Sequence, residues 1–174
     1  MKPLEFKLHI KVDQSSIQPV LNAIINSIIF YRYFSPVKPF IIHAFNSIAY
    51  PTINDPNTEL VISTKISQIL KNLQKTPISY KLIIEFNTRI IKKTWFTTNE
   101  ESVCWERWIV TVETFSSLGL SFEKVLDKLK IDLRDTLLKI IDLVDYNKDH
   151  IPLISKTDSN PFPFEISIDP LIEI

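Results

Sequence analysis

The amino-acid sequence predicts an α+β fold, a mostly antiparallel sheet covered on one face by three helices, and three observations carry that reading. Leu4, Phe6, Leu8, Ile10 and Val12 alternate with Glu5, Lys7, His9 and Lys11, the period-two pattern of a half-exposed strand. Two stretches, Ile17 to Ile29 and Leu126 to Val144, keep apolar residues at helical spacing. Ser79 to Lys92 and Trp105 to Phe115 are rich in β-branched and aromatic residues, as strands are. The order β-α-(β)-α-β-β-α-loop-β interleaves helices with strands that pair mostly antiparallel. At 174 residues the chain suits one domain, 1–174.

Each element has a local cause. After the first strand, Asp13, Ser15 and Ser16 can cap a helix, and Pro19 is tolerated in its first turn. That helix carries Ile17, Val20, Leu21, Ile24, Ile25, Ile28 and Ile29 on its apolar face, while Gln18, Asn22 and Asn26 draw a polar stripe. Arg32 to Asn57 holds four prolines and reads as loop, with short strands around Phe40–Ala44 and Ser47–Tyr50. Asp55-Pro56 is a helix start, since proline needs no N–H in the first turn, and Ile62, Ile66, Ile69, Leu70 and Leu73 follow at helical spacing. The strand Ser79–Lys92 puts Tyr80, Leu82, Ile84, Phe86 and Ile90 on one face; its partner begins at Trp105 and aligns Trp108, Val110 and Val112. Between them, Lys93 to Cys104 is long for a hairpin connection. Ser121 is placed to cap the longest helix, Phe122 to Tyr146. Residues 147–163 read as a loop, and Phe162, Phe164, Ile166 and Ile168 alternate as a last strand.

Composition removes whole classes of function. The chain has 28 isoleucines and one glycine, Gly119, so glycine-rich phosphate loops are out, and with them nucleotide chemistry of that type. Twenty basic residues balance 20 acidic ones, which leaves no general electrostatic grip on nucleic acid. The lone cysteine, Cys104, excludes an internal disulfide, and the scattered His9, His43 and His150 show no metal-ligand spacing. Gln14 to Tyr31 is uncharged, but its amide stripe suits a half-buried helix, not a membrane span. No signal-peptide core opens the chain, and the expectation is a cytoplasmic protein. Asp132, Asp135, Asp142 and Asp145 interleave with basic residues as a solvated helix face does. No acid, base and oxyanion donor assemble, so the expectation is a non-enzyme with no catalytic residue, cofactor or metal. A small enzyme using Cys104 as nucleophile is the competing class, and a buried Cys104 without a neighbouring histidine would remove it.

Two features stand off the pattern. Trp95-Phe96 lies among Lys92, Lys93, Thr94, Thr97, Thr98 and Asn99. The pair is either an exposed binding anchor or a plug folded back on the sheet. In the long helix, Leu126, Leu129, Leu133, Leu137, Ile140 and Val144 form one seam, and Ile131 and Leu138 stand roughly 120–140° from it. That strip is either packed inside the domain or offered to a partner.

These motifs carry a resemblance. Trp95-Phe96 precedes Trp105-Glu106-Arg107-Trp108 by about ten residues, His150-Ile151-Pro152-Leu153 follows the long helix, and Pro163-Phe164-Glu165-Ile166-Ser167-Ile168 closes the chain. In these the chain resembles the autophagy-related protein 101 family, HORMA-domain subunits of the autophagy-initiation kinase complex. The resemblance implies a HORMA-like fold with a C-terminal belt-like segment and a non-catalytic scaffold. It further implies binding to the HORMA domain of autophagy-related protein 13, and a finger, Trp95 and Phe96, that recruits downstream factors at the preautophagosomal structure. Joined with the exposed-strip reading, it puts the HORMA partner against Ile131 and Leu138. The alternative is a HORMA adaptor of the spindle-checkpoint or translesion-polymerase kind, capturing a peptide under Asn147 to Ile174.

Overall fold

The computed structural model describes residues 2–72, 79–93, 98–117, 119–154 and 160–170. Its elements run β1 (Leu4–Asp13), α1 (Ile17–Tyr31), β2 (Pro39–Ala44), β3 (Ile48–Ile53), α2 (Pro56–Asn72), β4 (Ser79–Lys93), β5 (Thr98–Phe115), α3 (Phe122–Tyr146) and β6 (Phe164–Pro170). Four strands form one sheet in the order β1-β5-β4-β6, and β2 and β3 form a separate hairpin. β1 runs parallel to β5; the other pairs are antiparallel. The fold is α+β and HORMA-like, with a mostly antiparallel sheet and three helices.

Alternation in the sequence becomes two-sidedness in the sheet. Phe6, Leu8, Ile10 and Val12 are buried with Tyr80, Leu82, Ile84, Trp108, Val110 and Val112 beneath the helices. On the opposite face Arg107 crosses three strands: its Nη1 donates to Glu5 Oε1 at 2.9 Å and its Nε to Glu85 Oε1 at 2.7 Å. α1 is the most buried helix, from Ile17 to Ile29, and α3 adds Leu129, Leu133, Leu137, Ile140 and Val144. Each fully buried apolar side chain contributes about 1.5–3 kcal/mol, and isoleucines of α1, α2 and the sheet supply much of that core.

Capping follows the sequence in two places and departs from it in a third. Asp13 Oδ2 accepts the Ser15 N–H at 3.0 Å, but it starts a 3-10 turn, Gln14–Ser16, that leads into α1. Its Oδ1 accepts the Ser117 N–H at 3.0 Å, tying the end of β5 to the end of β1. Asp55 Oδ2 accepts the Thr58 N–H at 2.9 Å at the start of α2. Ser121 precedes α3 without a side-chain cap bond.

Three strand expectations need correction. β5 begins at Thr98, not Trp105, and pairs with β4 out to Lys93↔Thr98, so 94–104 is not one long connection. Ile90 is 40% exposed: β4 and β5 continue as a paired arm after their neighbours end, and among the described residues nothing covers it there. Phe162 is fully buried but lies in a bend before β6, where its ring meets Trp105 at 4.9 Å and Phe34 at 5.5 Å. Its apolar character marks an aromatic plug, which the period-two pattern did not distinguish from a strand.

Candidate functional site

The Trp-Glu-Arg-Trp run lies at a break in the ladder. Phe86 pairs with Glu106 and Asn87 with Cys104, so Trp105 is an extra residue with no opposite number. A bulge of this kind turns two successive side chains toward one side. Trp105 and Glu106 are thereby both buried, at 2% and 0% exposure, while Arg107 returns to the outer face and Trp108 to the core.

A carboxylate with no access to water must be met by donors, and Glu106 is met by three side chains. Arg32, the residue after α1, sends its Nε to both Glu106 oxygens at 2.9 Å. Trp108 Nε1 donates to Oε1 at 2.6 Å, and His150 Nε2 sits 2.6 Å from Oε2. An ionised carboxylate can only accept, which assigns the His150 proton to Nε2. Arg32 also donates from Nη2 to the Asn147 carbonyl at 3.1 Å. Strand β5, the exit of α1 and the chain after α3 are thus fastened at one point. The His150 ring also packs against Trp105, tilted by 45° with ring centroids 5.3 Å apart. Losing one partner of a buried ion pair costs about 3–5 kcal/mol, because the other charge is stranded. The arrangement is a clasp, with both Glu106 oxygens met by protein donors.

Glu106 was within reach of sequence reasoning. It shares parity with Trp108, Val110 and Val112, and a charge on an apolar face demands a partner. Nothing local names that partner, since Arg32 is 74 residues away and His150 is 44 away.

Cys104 is half-buried, and its thiol donates to the Glu106 carbonyl at 3.4 Å. Burial, with the Glu85 charge behind it, pushes the thiol up, away from the reactive thiolate. The His150 imidazole is engaged by Glu106. His9 is exposed and pairs with Glu113 at 2.8 Å. Among the described residues, no three His, Cys, Asp or Glu side chains are grouped to hold a metal. Among the same residues, no helix is long and apolar enough to cross a membrane.

The residues singled out for partners fare differently. Trp95 and Phe96 lie outside the described residues, in the stretch that joins Lys93 to Thr98. Ile131 and Leu138 are 50% and 52% exposed and share one side of α3, seven residues apart. Ile141, one turn beyond Leu138, is 40% exposed and carries the strip toward a hollow of about 330 Å³. Tyr31, Phe34, Val144 and Ile151 line that hollow together with Asp142, Asp145 and Lys148. Sequence reasoning missed this extension because its walls come from two stretches far apart in the chain, 31–34 and 141–151.

A HORMA-like α+β fold, fastened by a buried carboxylate clasp and carrying exposed apolar residues on α3, is the class that the structure defines. The sequence comparisons narrow that class. A sequence model of the family described as autophagy-related protein 101 matches residues 9–158, and the chain belongs to that family. It is 26% identical over 181 residues to the autophagy-related protein 101 of Arabidopsis thaliana, covering 91% of this chain and 83% of that one. Its role is accordingly in autophagy.

Proposed function

We propose that this chain is a non-catalytic adaptor of the autophagy-initiation complex. It binds and stabilises the HORMA domain of autophagy-related protein 13, and it recruits downstream factors through a Trp95-Phe96 finger. It acts in the cytoplasm and is drawn to the preautophagosomal structure. The observation that carries this reading is the paired arm of β4 and β5. Arg89, Ile90 and Ile91 on one strand and Glu100, Glu101 and Ser102 on the other are exposed, yet the strands stay paired to Lys93 and Thr98. An arm exposed in this way contributes little to stability, and it is suited to carrying what joins its strands away from the body. The strip of Ile131 and Leu138 supplies the second surface, toward the HORMA partner.

Co-purification and cellular recruitment separate the two surfaces. Trp95→Ala with Phe96→Ala leaves folding and HORMA pairing nearly unchanged and abolishes recruitment of later factors. A melting temperature lowered by many degrees would place the pair in the core and end the finger reading. Ile131→Glu with Leu138→Glu prevents co-purification with the HORMA domain while the single chain stays soluble; an intact complex would move the interface elsewhere.

A further inference from the structure

Every open sheet edge needs protection against pairing with another chain, and the edges of this fold are not protected equally. β1 carries Glu5, Lys7, His9 and Lys11 along its length, and β6 carries Glu165 and Asp169. β3 has Pro51 in its middle and packs on α1. β2, Pro39-Phe40-Ile41-Ile42-His43-Ala44, has neither an acidic nor a lysine or arginine side chain, and its proline is at its very start. Phe40, Ile41 and Ile42 are exposed at 46%, 61% and 46%, three large apolar residues in a row covering both faces of the strand.

The hairpin register states which backbone groups face outward. β2 pairs with β3 as Pro39↔Ile53, Ile41↔Pro51 and His43↔Ala49, alternating with Phe40↔Thr52, Ile42↔Tyr50 and Ala44↔Ile48. Proline has no N–H, so both prolines fit the set of pairs that exchanges no bonds across the ladder. The N–H and C=O groups of Ile41 and His43 therefore point away from β3, and among the described residues β2 has no further strand beside it.

From this edge we infer that β2 is a self-pairing site, at which a second copy of the chain adds its own β2 antiparallel across a two-fold axis. One register satisfies the outward groups of Ile41 and His43: Ile41 opposite the second copy's His43, and the reverse, with Ile42 facing its own counterpart. It makes four backbone hydrogen bonds and sets each Pro39 opposite the second copy's Phe45, beyond the paired stretch. Registers centred on Ile41 or His43 instead lose bonds to Pro39 or run into Phe45, which has φ 51° and has left the strand. A formal net charge of zero opposes no such approach. The two hairpins become one four-stranded sheet, and Phe40 and Ile42 meet apolar counterparts. A contact of one strand per copy is at the weak end of specific interfaces, so the dimer forms at high micromolar concentration.

Sedimentation of the full chain across that range tests it. The average mass rises with concentration from 20.3 kDa toward twice that value, and Ile41→Lys, which places a guard charge on the edge, stays at 20.3 kDa. Cysteine pairing tests the register in a Cys104→Ser background. Ile42→Cys faces itself at about 4.5 Å between Cα atoms, a disulfide distance, whereas Ile41→Cys faces itself only along a diagonal of about 7–8 Å. Oxidation links Ile42→Cys at least about tenfold faster than Ile41→Cys. A wild-type chain that remains monomeric throughout leaves the edge to a strand of some other polypeptide and overturns the inference. So does an Ile41→Lys dimer equal to wild type, or equal linking of the two cysteine variants.

Discussion

Two tryptophans three residues apart occupy the same core and differ in one hydrogen bond. The Trp108 indole N–H is spent on Glu106 at 2.6 Å, whereas the Trp105 N–H is buried and, among the described residues, meets no acceptor. Both phenylalanine substitutions remove similar volume, so cavity costs largely cancel between them. Trp108→Phe additionally takes a donor from a buried carboxylate, where such a bond is worth about 1.5–3 kcal/mol. Trp105→Phe instead removes an unmatched polar group. Chemical denaturation should therefore show Trp108→Phe less stable than Trp105→Phe by about 2 kcal/mol. Equal losses would mean that the clasp adds little beyond packing. The same residues explain why a motif found in sequence next to an exposed aromatic pair is itself interior: Trp105, Glu106 and Trp108 hold the chain's far segments together.

Helix starts depend on single carboxylates, and two of them give the fold an acid limit. Burial acts upward on Asp13, but its bonds from Ser15 and Ser117 outweigh it and hold the carboxyl below its ordinary 3.8. Bonds from Thr58 likewise hold Asp55 below 3.8. A carboxyl depressed on folding adds stability that is complete above the unfolded value and disappears as pH falls through the folded one. Asp55→Ala should cost about 1 kcal/mol at neutral pH, as lost caps do, and Asp13→Ala at least as much, since it also frees the Ser117 N–H. The gap between wild type and the double variant should narrow as pH is lowered below 3.8, read by thermal melts along a pH series. A gap that widens in acid would contradict the assignment. α3 shows the other use of an element: one side closes the core through Leu133 and Ile140, and the opposite flank keeps Ile131 and Leu138 in solvent.

At the scale of the molecule, what periodicity encodes was legible and what depends on distant chain was not. β1 and both α1 and α3 follow from spacing alone, because a half-buried strand or helix must repeat its apolar side chains at its own period. The parallel pairing of β1 with β5 has no local signature, since a strand's alternation is indifferent to its neighbour's direction. The early part of β5 was missed for a related reason: Thr98 to Ser102 pairs through backbone in an arm that nothing among the described residues covers, so its side chains carry no alternation. The strip on α3 could be read because its residues share one helix, while the hollow beyond Ile141 and the Glu106 clasp join residues from separate elements. The proposed finger requires Trp95 to stand in solvent. Of the chain's three tryptophans, Trp105 and Trp108 are fully buried, so collisional quenching of intrinsic fluorescence reports on the third. Iodide or acrylamide added to the folded chain should quench a distinct fraction of the emission, and Trp95→Ala should remove that fraction. A folded chain with no quenchable tryptophan, or one whose quenchable fraction survives Trp95→Ala, would contradict the finger.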